Sequence, residues 1–214
     1  MGRLIFEKVI NMKKFGSAII LAGGKSTRMG FDKQLLKIDE RKLMYSLIHK
    51  LKKQFEEIII VTNKPELYIG LSNKITKDII LDKGPLGGIH AGLKICQSKY
   101  AFVAACDMPN INMGYVKFMK EKMINPNSYG CVTKFGDWIE PFSSFYSADM
   151  VDHIETYLNT DRKSINGLLK DLEITYIKEE HARKFSLNWD MFLNLNTQED
   201  LKNYLLNTSA EWSS

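Results

Sequence analysis

The sequence predicts an α/β protein with one domain, built on a mostly parallel sheet that becomes partly mixed in its second half. Three observations predict it. An apolar strand at residues 17–21 runs into a glycine-rich loop and then into helical spacing; strand and helix signals then alternate through residue 106; no repeat or Pro/Gly-rich linker divides the chain. Such alternation places helices on the faces of a parallel sheet.

Each element follows from its spacing. Leu43, Leu47, Ile48, Leu51 and Phe55 recur at helical intervals, so residues 43–55 are read as a helix. Strands are expected at 58–62, 79–81 and 100–106, with a helix at 87–97. Beyond residue 107 the expected order is a helix at 115–123, strands at 129–134 and 142–146, and helices at 148–158 and 164–172. An extended segment at 174–178 precedes a last helix at 197–206, with Thr197 as its N-cap and Asp200 as capping-box partner. The domain is therefore drawn over residues 16–206, with 1–15 as an N-terminal extension and 207–214 as a tail.

Composition narrows the function classes. With 44% hydrophobic and 26% charged residues in 214, the chain has enough apolar side chain for a substantial core. Its longest apolar stretches are too short to span a bilayer, and no signal peptide or membrane anchor is visible. Cys96, Cys106 and Cys131 are odd in number and lack C-x-x-C spacing, which points away from a disulfide framework or zinc site and toward a reducing cytoplasm. The net charge of +5 is spread among acids, so nucleic-acid binding is not called for, although a mild positive bias favours small polyanions.

The loop Leu21-Ala22-Gly23-Gly24-Lys25-Ser26-Thr27-Arg28-Met29-Gly30-Phe31-Asp32-Lys33 carries the chemistry. Its glycines let backbone N–H groups approach an anion, and Arg28 and Lys33 add charge suited to a triphosphate. Gly24-Lys25-Ser26-Thr27 looks like the end of a P-loop, yet Ile19 stands where that motif needs its first glycine. The dinucleotide pattern fails as well, because Gly23 and Gly24 are adjacent. Asp107 closes the run Ala101 to Cys106 at the carboxyl end of a strand, where α/β proteins bind ligands, and a carboxylate there suits Mg²⁺. In Gly84-Pro85-Leu86-Gly87-Gly88, the glycines open a helix whose N-terminal N–H groups form an anion site.

The pattern L-A-G-G-x-S-x-R-M-G-x-D-K, together with Cys106-Asp107-Met108-Pro109 and the run from Gly84 to Leu93, resembles the molybdenum cofactor guanylyltransferases of the nucleotidyltransferase superfamily. The resemblance runs from about Ser17 to Leu201, and residues 1–14 have no counterpart in it. It implies a three-layer α/β/α, Rossmann-like fold. It also implies that Leu21, Ala22, Gly23 and Gly24 line the nucleotide, that Arg28 and Lys33 hold its phosphates, and that Gly87 contacts it. Asp107 would be the Mg²⁺ ligand and, with Arg28 and Lys33, part of the catalytic set. Asp78 takes the place of a nucleotide-contacting aspartate, with Asp82 as competitor; Asn63 either approaches the base or ends its strand.

On the acceptor side, Glu140-Pro141, the basic loop Asp161-Arg162-Lys163-Ser164-Ile165 and the closing Phe192 to Leu201 segment resemble the family's, with Gln198 in place of a proline. Asn194 and Asn196 either support the metal or acceptor, or cap the last helix; Cys106 is read as a small buried residue and His90 as structural or rim-facing. The implied reaction moves GMP from GTP to the terminal phosphate of molybdopterin, metal-free or molybdenum-bound, with cofactor assembly proteins as partners. A cytidylyltransferase, or a GTP-binding sensor without turnover, are the alternatives; Leu21-Ala22-Gly23-Gly24 resembles the guanine users rather than the cytidine users.

Overall fold

A computed structural model describes residues 13–22, 33–72, 74–195 and 197–208. The strands are β1 (Ser17–Leu21), β2 (Glu57–Val61), β3 (Lys74–Thr76), β4 (Tyr100–Ala105), β5 (Gly130–Phe135), β6 (Trp138–Ser147) and β7 (Ile174–Lys178). The helices are α1 (Lys33–Leu51), α2 (Pro85–Ile95), α3 (Met113–Lys122), α4 (Val151–Leu158), α5 (Ile165–Leu169), α6 (Glu179–Ala182) and α7 (Gln198–Thr208).

The strands form one seven-stranded sheet in the order β3-β2-β1-β4-β6-β5-β7. β1 is central and wholly buried, pairing in parallel with β2 (Ile19 opposite Ile59) and with β4 (Ile19 opposite Val103). A strand buried on both faces reads as a near-continuous apolar run, which is why residues 18–21 show no alternation; the buried Ser17 at its start is hydrogen-bonded to Ser98 and Glu57. β6 runs antiparallel to both β4 and β5, and β7 returns parallel to β5, so the mixed character lies in the second half as the sequence predicts.

Helices cover both faces, giving the three layers. One face packs Met44, Leu47 and Leu51 of α1 and Tyr115, Val116 and Met119 of α3 against Ile20, Phe102 and Phe145. The other packs Leu86, Ile89 and Leu93 of α2 and Ile154 and Leu158 of α4 against Ile19, Ile59 and Val103. Gly92 lets α2 settle onto β1, since a Cβ there would stand 2.6 Å from Ile19 Cγ2. Ahead of β1, Lys13 and Lys14 accept from the Lys99 and Tyr100 N–H groups at 2.9 and 3.0 Å, and Phe15 stacks on Tyr100.

Some elements differ from the sequence reading. The strand expected at 79–81 is a bend, because β3 already occupies the edge beside β2; Ile79 and Leu81 are exposed, and the chain turns at Asp82 with φ 59°. α1 begins ten residues earlier than its apolar stripe and ends at Leu51, while Phe55 reaches the core from the following loop. α3 starts at Met113 because Asn112 caps it, its side chain accepting from Tyr115 N at 3.0 Å. α7 has the expected reciprocal cap: Thr197 Oγ1 accepts from Asp200 N at 3.0 Å and Asp200 Oδ2 from Thr197 N at 2.8 Å. β6 carries a bulge between Glu140, opposite Thr133, and Phe145, opposite Cys131. Its last pair with β4 joins Ser144 to Val103, so the bulge lies beside the carboxyl end of β4. No helix among the described residues is long and apolar enough to cross a membrane.

Candidate active site

The chain leaves β1 toward β2 on one side and reaches β4 on the other, so the carboxyl ends of β1 and β4 form the switch point where open α/β sheets bind ligands. Two bonds extend the pairing past the strand ends: Ala22 N donates to Val61 O at 2.8 Å, and Cys106 N to Leu21 O at 3.0 Å. Leu21 and Ala22 on one strand exit and Asp107 on the other are thereby brought to one edge. Gly23, Gly24 and Arg28 lie outside the described residues, as does Asn196; Lys33 is the first residue of α1.

A second set of residues converges on Leu21. A Cβ on Gly88 would stand 3.1 Å from Leu21 Cδ2 and 3.5 Å from Asp78 Oδ1. Asn63, just past β2, donates its side-chain amide to Asp78 Oδ2 at 3.1 Å. The N-terminal turn of α2, Leu21, Asn63 and Asp78 thus share one wall. The backbone carbonyl of Asp82 accepts from Lys163 Nζ at 2.8 Å, whereas it is the carboxylate of Asp78 that approaches Gly88 beside Leu21. Gly87 sits at the helix start with its own N–H donated to Gly84 O at 3.1 Å; a Cβ there would meet Ile80 O at 2.9 Å. Its glycine identity thus serves the turn, and Gly88, next to it, makes the closer approach to the wall.

Asp107 stands exposed two residues past β4, and its backbone carbonyl accepts from Leu195 N at 2.7 Å, which docks the 193–195 segment onto it. Surrounding protein desolvates the carboxyl and pushes it above the ordinary aspartate range, a shift its own backbone N–H partly offsets. With Thr197 as the cap of α7, Asn194 lies in the stretch bound to Asp107 and not at the cap.

The basic loop expected to meet the acceptor is engaged with the protein. Lys83 Nζ reaches Leu158 O at 3.0 Å and Asp161 Oδ1 at 3.2 Å, Lys163 holds Asp82 O, and Arg162 lies 4.3 Å over the Tyr157 ring. His90 is structural: it is fully buried, and its Nε2 is 2.8 Å from Glu155 Oε1. Cys106 is only partly buried, because it sits at the strand exit and not within β4.

A family model described as the MobA-like NTP transferase domain matches residues 18–176. A probable molybdenum cofactor guanylyltransferase of Peptoclostridium acidaminophilum is 48% identical over 96% of this chain and 95% of its own length. That of Syntrophotalea carbinolica is 50% identical over 89% and 91%. The chain belongs to the molybdenum cofactor guanylyltransferase family. Among solved structures, the molybdopterin-guanine dinucleotide biosynthesis protein A of Archaeoglobus fulgidus superposes with a TM-score of 0.71 at 24% identity, covering 91% of this chain and 99% of that one, which shows the shared fold.

Within this guanylyltransferase-family chain, Asp107 suits a hard divalent cation that arrives with phosphate oxygens. No group of three His, Cys, Asp or Glu among the described residues forms a cage, and Mg²⁺ needs none: one carboxylate plus substrate phosphates and water satisfy its coordination. Desolvation of the Asp107 carboxyl adds to the fit, because a nearby cation relieves the cost of keeping it ionised.

Proposed function

We propose that this chain transfers GMP from GTP to the terminal phosphate of molybdopterin, metal-free or molybdenum-bound, with pyrophosphate leaving. The observation that carries this reading is the gathering of Leu21, Asn63, Asp78 and Gly88 beside β1, with Asp107 past the neighbouring strand, in a chain of this family.

An oxygen of the acceptor phosphate bonds to the α-phosphorus of GTP while the bond from that phosphorus to the α,β-bridging oxygen breaks. A phosphate monoester with a second pKa near ~6 is largely ionised at neutral pH, so no strong general base is required. The work of the protein is alignment and charge neutralisation. Leu21, Ala22, Gly23 and Gly24 line the base and ribose, and the α2 N-terminus with Gly87 and Gly88 approaches the nucleotide. Asp78, positioned by Asn63, accepts from the N–H groups of guanine. Arg28 and Lys33 hold the phosphates and offset the charge that develops on pyrophosphate. Mg²⁺, held by Asp107 and the nucleotide phosphates, would supply positive charge where the phosphate oxygens meet.

Pyrophosphate release from GTP and from CTP, with Mg²⁺ and molybdopterin present, tests the reading. Release that requires both GTP and molybdopterin supports it. Release from CTP alone removes the guanine assignment, and GTP binding without acceptor-dependent release leaves a sensor.

A further inference from the structure

The β5–β6 hairpin leaves the sheet on the same side as Asp107, since β5 runs in the direction of β4. Thr133 faces Glu140 and Phe135 faces Trp138 across it, so these four side chains stand on one face. Thr133 Oγ1 lies 2.6 Å from the Tyr115 hydroxyl, which makes this the α3 side of the sheet. Phe135 packs on Trp189 with ring centroids 5.5 Å apart, and Trp189 on Phe192 at 4.9 Å. From there the chain runs directly to Leu195 and its bond to Asp107, while Asn110 Nδ2 ties Asp190 O to the loop after Asp107 at 3.3 Å. The aromatic face and the candidate metal ligand are therefore joined by one short segment.

Two features of this face have no structural task. Trp138 is 76% exposed at the hairpin tip, where burial does not account for so large an apolar ring. Glu140 is half-buried beside the bulge, and no donor or cation among the described residues reaches its carboxylate. A buried carboxylate without a partner costs free energy unless a ligand completes it. In the same bulge Ser143 takes φ 55°, a conformation a non-glycine residue adopts at a cost, and its buried hydroxyl has no partner among the described residues.

We propose that the face formed by Phe135, Trp138, Glu140 and Trp189 reads the pterin ring of the acceptor, with Glu140 accepting from its 2-amino-4-oxopyrimidine N–H groups and Trp138 stacking on its plane. Trp138 and Glu140 are two residues apart on one strand, about 7 Å, a span matched by a fused two-ring heterocycle. Adjacent N–H donors on that ring edge suit two-point acceptance by a carboxylate. The inference rests on the acceptor of the proposed function. Guanine carries the same donor edge, so the two rings must be separated by experiment.

The full chain is titrated with 2-amino-4-oxopteridine, followed by quenching of pterin fluorescence, and separately with GTP. Glu140→Gln should weaken pterin binding at least about tenfold and leave GTP binding unchanged. Trp138→Ala should lose most of the quenching. In turnover, Glu140→Gln should raise KM for molybdopterin, leaving KM for GTP unchanged, with thermal unfolding confirming the variant is folded. No pterin binding by the wild type, equal binding by wild type and Glu140→Gln, or a loss of GTP affinity instead would each overturn the assignment. A wild type that binds pterin through Glu140 yet releases no pyrophosphate would overturn the transfer reaction while upholding this site.

Discussion

Asn63 donates its side-chain amide to Asp78 Oδ2 at 3.1 Å, leaving Asp78 Oδ1 on the side that faces Gly88 and Leu21. In the proposed reaction, a carboxylate held this way presents a fixed acceptor to a base seated over Leu21. Asp78→Asn should raise KM for GTP roughly tenfold to a hundredfold, the scale of one charged hydrogen bond, with kcat for bound GTP much less affected. Asn63→Ala should move KM in the same direction by less. Steady-state kinetics over a GTP series checks both, and an unchanged KM would return Asp78 to the rim.

Two glycines of α2, four residues apart, separate site from scaffold. A Cβ on Gly92 would stand 2.6 Å from Ile19 Cγ2 in the central strand, so Gly92→Ala should cost about 1–3 kcal/mol by overpacking. A Cβ on Gly88 would meet Leu21 and Asp78, so Gly88→Ala should raise KM for GTP more than it lowers Tm. Calorimetry and kinetics on the pair decide it: equal effects on both quantities in both variants would mean that Gly88 only packs.

The parallel core was legible because β1, β2 and β4 are buried on both faces and so carry unbroken apolar runs past their first residues. The position of Asp107 was legible for a related reason, since a carboxylate that ends such a run falls at the carboxyl edge of the sheet; its role as metal ligand is part of the proposal. The bend at 79–81 was not, because Ile79-Ile80-Leu81 has strand composition and only the presence of β3 at the sheet edge denies it a partner. The start of α1 was missed because apolar periodicity reports only the stretch that packs. Glu140 and Trp138 came into one face through a hairpin register and a bulge, neither of which is written in local composition. The engagement of Lys83 and Lys163 across residues 82–163 was equally invisible, being a contact between distant loops.

In the proposed reaction Asp107 couples stability to function. Its carboxyl is pushed up by desolvation, so below that raised value the folded chain binds more protons than the unfolded one, and deprotonation as pH rises costs stability. Asp107→Asn should therefore hold or slightly raise Tm at neutral pH while abolishing Mg²⁺-dependent pyrophosphate release. The acid limb of kcat/KM should lie above the pH expected of an ordinary aspartate. Undiminished turnover in Asp107→Asn would take this residue out of the mechanism.

Lys33 opens α1 directly after the glycine loop. In the proposed reaction its charge counts most when pyrophosphate leaves, so Lys33→Ala should lower kcat/KM by a loss of a few kcal/mol, about the size seen for other charge-stabilising groups. Lys33→Arg should restore part of it. A rate indifferent to both changes would make Lys33 a surface cation.

Glu57 tests the scaffold at the opposite end of the sheet, at the amino ends of β1 and β2. Burial pulls its carboxyl upward, but the Lys74 ammonium, the Ser17 hydroxyl and the Gln97 N–H at 2.9 Å outweigh burial and hold it below the ordinary glutamate range. A folded pKa below the unfolded one means that the unfolded chain takes up protons first as pH falls. The contribution is thus complete at neutral pH and is lost as pH drops through the lowered value. Glu57→Gln should cost about 1–3 kcal/mol at pH 7, read as a fall in Tm of several degrees. The difference from wild type should shrink as pH falls below the ordinary glutamate range and through the lowered value, where the folded carboxylate protonates. Because Glu57 is remote from the carboxyl-end site, KM for GTP should not move. A Tm gap that persists unchanged into acid would show that the contacts work through shape and not through charge.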